Sequence, residues 1–394
     1  MRLQSIDAIH KAVRSIALQK VAALRVYPPY LTSFHTHRWI HTLKQLHIMS
    51  RYDEPLVPFI PPDFIESPGQ RDEDDEIEEE EEQEYIPNHT VRPNRLLELK
   101  SYRFRASRDQ WKHISPQHIP ADKPIPSSVR IITWNIDFTA DKKQERLTAA
   151  LRHIERDVLC CKPGHAPEPC CINLQEVHAS VFSHLLRDDW VRRHFIATPI
   201  THSKWPENAY YGLVTLVSRS LTVVRAQILS FALSTQDRGG LAIYIKLRAP
   251  EPTHHIVTMC IVNTHLESLP QGEAWRPRQL SLLSRFLKQD SVRGGVIVGD
   301  MNAIGVSDAT IAANCDLRDA WKKGDGDQTG FTWGYQGPDV GKFPPGRLDK
   351  VLYLPRKGYK VEEPRRIGLG VKDASETQWV SDHYGLDTYL RLTR

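Results

Sequence analysis

The 394-residue chain carries 52 Lys and Arg against 48 Asp and Glu, a net charge of +4, with 40% hydrophobic residues and six cysteines. This composition is that of a soluble globular protein, and six cysteines in so long a chain exclude a disulfide scaffold and point to a reducing, intracellular setting. No apolar run is long enough to span a bilayer, and no secretory hydrophobic segment opens the chain.

Residues 1–50 form a basic N-terminal extension. Leu3, Ile6, Ile9, Val13, Ile16, Val21 and Leu24 recur at helical spacing and predict an amphipathic basic helix. Three readings of it stay open: a mitochondrial presequence, an ordinary amphipathic helix, or an extension upstream of a start at Met49. Residues 51–95, with Pro-rich "EPLVPFIPPDF" and the acidic run "DEDDEIEEEEEQE", read as a disordered linker too charged to pack. The acidic run is a solvated tail or a DNA mimic. Outside it 52 basic residues face 37 acidic ones, a balance of +15 that suits an anionic partner. Residues 96–128 make a flanking segment with enough apolar side chains to dock on a domain, but its pattern assigns no fold.

From Val129 to Arg394 the texture changes. The runs "VRIITWNI", "CCINLQEV", "YGLVTLVS", "LTVVRAQIL", "GLAIYIKL", "IVTMCIVNTHL", "GVIVGDMN", "RLDKVLYL" and "YGLDTYLRL" predict strands. Helices are predicted over Lys142–Arg156, Ala179–Arg193 and Arg276–Gln289. Many strands and few helices predict an α/β domain of two packed, mainly antiparallel sheets flanked by helices.

Several of these strands end in a polar group that an apolar core would reject: Asn135, Glu176, His265, Asp300 with Asn302, and Asp382 with His383. Any one alone is a turn residue, a helix cap or a satisfied core histidine. Together they are expensive to bury for structure alone, which predicts that they converge in one cleft. Their chemistry suits phosphoryl transfer with one hard cation. Glu176, helped by Asn135, makes an open oxygen site of the kind Mg²⁺ prefers, with Mn²⁺ as a substitute. Asp300 would take a proton from the attacking water, Asn302 would hold that water, and His383 and His265 would donate to phosphate oxygens. Zinc spacing is absent from these strand ends. Cys160, Cys161, Cys170, Cys171 and His165 would offer a structural zinc site, but adjacent Cys pairs lack the usual two-residue separation, which favours buried thiols.

"TWN", "LQE", "NTHLES", "GDMN", "RLD" and "SDH", in this order, resemble the endonuclease/exonuclease/phosphatase superfamily over about two-thirds of the chain. That resemblance implies a four-layer α-β-β-α sandwich and Mg²⁺-dependent hydrolysis of a phosphoester. It implies that Glu176 is the metal ligand, Asp300 the base, and Asn135 and Asn302 phosphate- and water-positioning groups. It makes His383 the catalytic histidine, oriented by Asp349, with Asp382 as the adjacent acid. Tyr211 takes the place where some members set a tyrosine against the phosphate.

Between the motifs, "TWNID", "THLES" followed by Arg276 and "RQL", "FTW" and "SDHYGL" are similar to the tyrosyl-DNA phosphodiesterase branch. This implies a DNA-repair hydrolase acting on single-stranded or frayed 5′ ends that carry a topoisomerase tyrosine, with the nucleus as its place and the mitochondrion as the alternative. No obligate protein partner is indicated. Arg276 and Arg238 would then pair with DNA phosphates, Ser268 would hydrogen-bond to one, and Trp333 would stack on the terminal base. One position departs from the branch: Ile304 stands where its members usually carry an Arg that reaches substrate phosphates. The alternatives are another nuclease of the superfamily, a lipid or inositol phosphate phosphodiesterase, and a nucleic-acid-binding module whose site has decayed.

Overall fold

The β-branched runs fold as strands in the computed structural model, which describes residues 93–115, 124–207 and 209–394. The chain begins with β1 (Arg95–Leu99), β2 (Tyr102–Arg105), β3 (Gln110–His113), β4 (Ser128–Asn135), α1 (Lys143–His153) and β5 (Cys170–His178). It continues through α2 (Ala179–Arg187), α3 (Asp189–His194), β6 (Phe195–Thr198), β7 (Tyr211–Ser218), β8 (Thr222–Ser230), β9 (Gly239–Arg248) and β10 (Ile256–His265). It ends with α4 (Arg276–Lys288), β11 (Gly294–Asp300), α5 (Ile311–Asn314), β12 (Arg318–Asp319), β13 (Asp349–Tyr353), β14 (Tyr359–Val361), β15 (Arg365–Ile367) and β16 (Gly385–Leu392). The basic helix, its targeting readings and the acidic run lie outside the described residues. Among the described residues no helix is long and apolar enough to cross a membrane.

The helix predicted over Ala179–Arg193 is two. Asp188 interrupts it, because its carboxylate accepts from the Trp190 and Val191 amides at 3.0 and 3.1 Å and so starts α3 afresh. Arg152 fixes the same carboxylate at 2.6 Å. Cys170 and Cys171 are buried in β5, Cys161 is half-buried and Cys160 is exposed.

Two sheets make the centre. One runs β1-β8-β9-β10-β11-β13-β12; the other runs β14-β16-β4-β5-β7-β6-β2-β3, with β15 also on β16. Strand alternation sends Met259, Ile261, Val296 and Val298 between the sheets, where they pack with Ile131, Cys171 and Val217 of the other sheet. Cys260, Val262 and Ile297 point the opposite way and pack on Leu280, Leu283 and Leu287 of α4. Leu147, Leu151, Val181, Leu185 and Val191 of α1 to α3 cover the other sheet. The layers are therefore helix, sheet, sheet, helix, as the sequence implies.

Pairing is antiparallel except for one pair in each sheet, β4 with β5 and β10 with β11. Parallel pairing brings two carboxyl ends to one edge. Asn135 aligns with Gln175 beside Glu176, and His265 aligns with Asp300.

The flanking segment belongs to the sandwich, which corrects the domain boundary drawn at Val129. β1 pairs along all five residues with β8, and β2 pairs with β6 and β3. Truncation at residue 128 would bare the edges of β8 and β6 and remove Phe104, which is 9% exposed in the intact fold. We expect such a truncation to melt well below one made at residue 92, or to aggregate, in a thermal melt of the two proteins.

Candidate active site

Strand periodicity explains how the polar residues meet. Ile131, Thr133 and Asn135 share the inner face of β4; Ile261, Asn263 and His265 share that of β10; Val296, Val298 and Asp300 share that of β11. Behind the site the inter-sheet layer is polar. Gln175 Nε2 donates to Thr133 Oγ1 (2.8 Å) and to Asn263 Oδ1 (2.7 Å), and Asn263 Nδ2 donates to the Leu174 and Val214 carbonyls. These bonds tie one sheet to the other directly under the strand ends.

Asp300, 1% exposed, is the hub. Its Oδ2 accepts from Asn135 Nδ2 (3.1 Å) and faces His265 Nε2 at 3.2 Å; its Oδ1 accepts from the Asn302 amide (2.9 Å). Burial works to raise this carboxyl, but His265, His383 and the Asn302 amide outweigh it and hold the group well below the usual carboxylate range. His265 Nδ1 lies 2.7 Å from Arg238 Nη1. Arginine has only donors, so Nδ1 accepts and the imidazole proton sits on Nε2, facing Asp300. Burial and then Arg238 lower the His265 ring to about 4, so it is neutral at physiological pH.

His383 is the opposite case. Burial alone would lower its ring, but Asp349, Asp382 and Asp300 win and keep it protonated well above the usual range. Its Nδ1 meets Asp349 Oδ2 at 2.8 Å, and its Nε2 lies 3.7 Å from Asp300 Oδ2. Asp349, fully buried, is steadied by its own amide, which donates to Thr332 Oγ1 at 3.0 Å. Asp382 Oδ2 accepts from Trp333 Nε1 at 2.9 Å. One neutral and one protonated histidine thus flank one ionised carboxylate.

Glu176 arrives by a backbone irregularity. β5 slips register against β7 between Leu174 and Val177, and Glu176 sits at φ 58. A bulge of this kind re-aims a side chain, and a non-glycine in this region costs about 1–3 kcal/mol. Glu176 then lines the cavity with Oε1 3.7 Å from His265 Nδ1, while Oε2 accepts from the Phe138 amide (2.9 Å). Burial lifts its carboxyl to about 7 against the pull of Arg238. Burial likewise raises Asp349 and Asp382, and Asp349 Oδ1 is buried without a hydrogen-bond partner. An all-oxygen carboxylate set in excess of its cations fits a hard divalent ion. Asp300, Asp349 and His383 also bring ligating atoms within 4.8 Å of one another. The His383 nitrogen facing Asp349 is already engaged there, so we read that trio as an oriented histidine and Glu176 as the residue open to an ion.

Glu176, His265, Asp300 and His383 line a cavity of about 940 Å³, while Asn135, Asp349 and Asp382 stand behind its wall. Tyr211 lines it, stacked on Phe138 at 4.0 Å with the Arg238 guanidinium 5.3 Å from its ring centre, whereas Tyr210 is 55% exposed. Ser268 and Trp333 line it as well, and Ser268 Oγ donates to Gln236 Oε1 (2.7 Å). Asn302 also lines it, its Nδ2 held by the Leu266 carbonyl (3.0 Å). Arg276 does not. It is 0% exposed and makes a two-point ion pair with Asp308 at 2.9 and 2.7 Å, so the expectation that it meets a DNA phosphate is corrected. Arg238 is also 5% exposed and occupied by His265 and Gln236 Oε1.

Sequence reasoning missed the groups that hold the loops in place. Trp134 Nε1 donates to the His383 carbonyl (2.9 Å), and Ser381 Oγ donates to the Asn135 carbonyl (2.6 Å) while accepting from the His383 amide (3.0 Å). Buried Arg146 donates to the carbonyls of Ile136 and Val380, both at 2.8 Å. Trp134 and Ser381 stand inside the motifs "TWN" and "SDH", which was their only signal; Arg146 had none.

The Endonuclease/Exonuclease/phosphatase family model matches residues 132–383, a span that runs from the strand before Asn135 to His383. The chain belongs to the endonuclease/exonuclease/phosphatase family. No curated protein matches its sequence. Among solved structures it is similar to a humanized tyrosyl-DNA phosphodiesterase 2 (TDP2) of D. rerio carrying 14 mutations, at 17% identity and TM-score 0.51 over 67% of this chain and 99% of that one. D. rerio TDP2 in complex with single-strand DNA product gives 16% identity and TM-score 0.51 with the same coverage. TDP2 from C. elegans gives 18% identity and TM-score 0.50 over 69% and 78%. These likenesses share the family's fold, and the family's members hydrolyse phosphoester bonds.

Proposed function

We propose that the chain is a Mg²⁺-dependent phosphodiesterase of DNA 5′ ends, a 5′-tyrosyl-DNA phosphodiesterase acting in the nucleus. The observation that carries this reading is the placement of ionised Asp300 and protonated His383, 3.7 Å apart, beneath a cavity with aromatic walls. Asp300, aimed by Asn135 and His265, orients the attacking water and takes its proton. His383, aimed by Asp349, donates to the phosphate oxygen on which charge accumulates. Asn302 faces the same space and positions the water. When bound at Glu176, Mg²⁺, or Mn²⁺ in its place, supplies charge neutralisation for the phosphate.

The walls favour an aryl ester. Phe138 and Tyr211 give the cavity an aromatic wall for a tyrosyl group, and Trp333 offers a face to the terminal base, an interaction worth roughly 1–3 kcal/mol. The DNA bound in the D. rerio TDP2 complex agrees with that substrate. The deciding assay offers a 5′-phosphotyrosyl single-stranded oligonucleotide, an abasic duplex and sphingomyelin in parallel, with Mg²⁺ or with EDTA. Tyrosine release from the first substrate in Mg²⁺ alone is the expected result. Turnover of either other substrate without tyrosine release would replace this reading.

A further inference from the structure

Exposed large apolar side chains gather at the mouth of this cavity. Tyr210, Leu269, Ile304, Val306 and Phe343 are all exposed and all line it. Apolar clusters at a concave site mark binding surfaces, whereas isolated ones need no explanation. Leu269, Ile304 and Val306, at 52, 47 and 94% exposure, come from the loops that follow β10 and β11.

Buried polar groups fix those two loops side by side. Arg276 grips Asp308 in one loop, and its Nη1 donates to the Glu267 and Leu269 carbonyls in the other, both at 3.1 Å. Asp308 Oδ2 also accepts from the Gly305 amide (2.7 Å), and Glu273 Oε1 accepts from Ser307 Oγ (2.6 Å). Leu269 itself is held at φ 66, ψ 164, a conformation a leucine seldom adopts, with its side chain turned outward.

The cavity is poorly equipped for a run of phosphates. The arginine and lysine side chains that line it are Arg238, Arg347 and Lys350. Each is committed: Arg238 to His265 and Gln236, Arg347 to Asp319 and Asp325, Lys350 to Asp325. Affinity for a polynucleotide backbone rests on cations free to meet its phosphates. Apolar contacts beside a single phosphate remain.

The rim adjoins the aryl side of the site. Ser268, the neighbour of Leu269, donates to Gln236 Oε1, and the Gln236 carbonyl accepts from Tyr211 at 3.4 Å. A peptide chain leaving a tyrosine seated against Tyr211 therefore meets Leu269, with Ser268 and Thr235 as hydrogen-bonding partners for its amides.

We propose that Leu269, Ile304 and Val306 form a specificity subsite for apolar amino acids flanking the tyrosine of a peptidyl 5′ adduct, an inference that rests on the tyrosyl-DNA reading. The test uses one oligonucleotide bearing a lone 5′-phosphotyrosine, a Leu-Tyr-Leu adduct or a Ser-Tyr-Ser adduct. The full chain is compared with the double variant Ile304→Ser, Val306→Ser, whose side chains are exposed, and with Leu269→Ser; melting temperatures verify that each is folded. The expected result is a KM about tenfold lower for the Leu-flanked adduct, lost in the variants, with lone-tyrosine kinetics unchanged. Equal KM for all three adducts in the unmodified chain would overturn the subsite. So would variants that slow the lone-tyrosine substrate equally. Hydrolysis of sphingomyelin vesicles with no tyrosyl substrate turned over would overturn the tyrosyl-DNA reading itself, and the subsite with it.

Discussion

Asp300→Asn is expected to abolish turnover while the sandwich stays folded. The substitution keeps the side chain's size and removes the charge that His265, His383, Asn135 and the Asn302 amide converge on. An amide cannot take the water's proton, and one of its faces would oppose the Asn135 or His265 donor. Loss of a general base and of its orientation costs roughly 10²–10⁴-fold in kcat, about 3–5 kcal/mol of barrier. KM should change little. Steady-state kinetics on the phosphotyrosyl oligonucleotide, beside a thermal melt, checks this; a variant retaining more than a tenth of the parent kcat would remove Asp300 from the chemistry.

The second large effect belongs to Arg276, and it is one of stability. Arg276→Ala would leave Asp308 as a buried carboxylate without its counter-charge, and would strand the Glu267 and Leu269 carbonyls. Breaking a buried pair from one side costs about 3–5 kcal/mol, a fall in Tm of roughly 10 °C for a domain of this size. A DNA-phosphate ligand would behave differently, with an unchanged Tm and a raised, salt-dependent KM. Differential scanning calorimetry and a salt series on the variant separate the two outcomes.

Arg276 also shows where sequence reasoning runs out. Its spacing from His265 is legible, and so is its place at the start of α4, but its partner Asp308 lies in a loop with no motif. Burial of an ion pair depends on which loops meet, and that is a tertiary fact. The strands and the strand-end residues were legible because a period of two and a terminal polar group are local signals. Glu176 was legible as an acid, whereas the φ 58 bulge that turns it into the cavity was not. The flanking segment failed for a third reason. β1 and β3 are edge strands and β2 lies next to the edge; each has four or five residues and is largely exposed, so their alternation is too short to separate from a loop.

The two parallel pairs have a further consequence. Asn135 sits on one sheet and Asp300 on the other, so the bond between them exists only when the layers are docked. Each sheet carries an incomplete half of the proposed chemistry: Glu176 and Asn135 on one, Asp300 and His265 on the other. A partly loosened molecule that keeps every strand and helix but lets the sheets part would be inert. On the proposed reading, a state in which the two sheets have parted would lack the Asn135–Asp300 bond and could not turn over substrate.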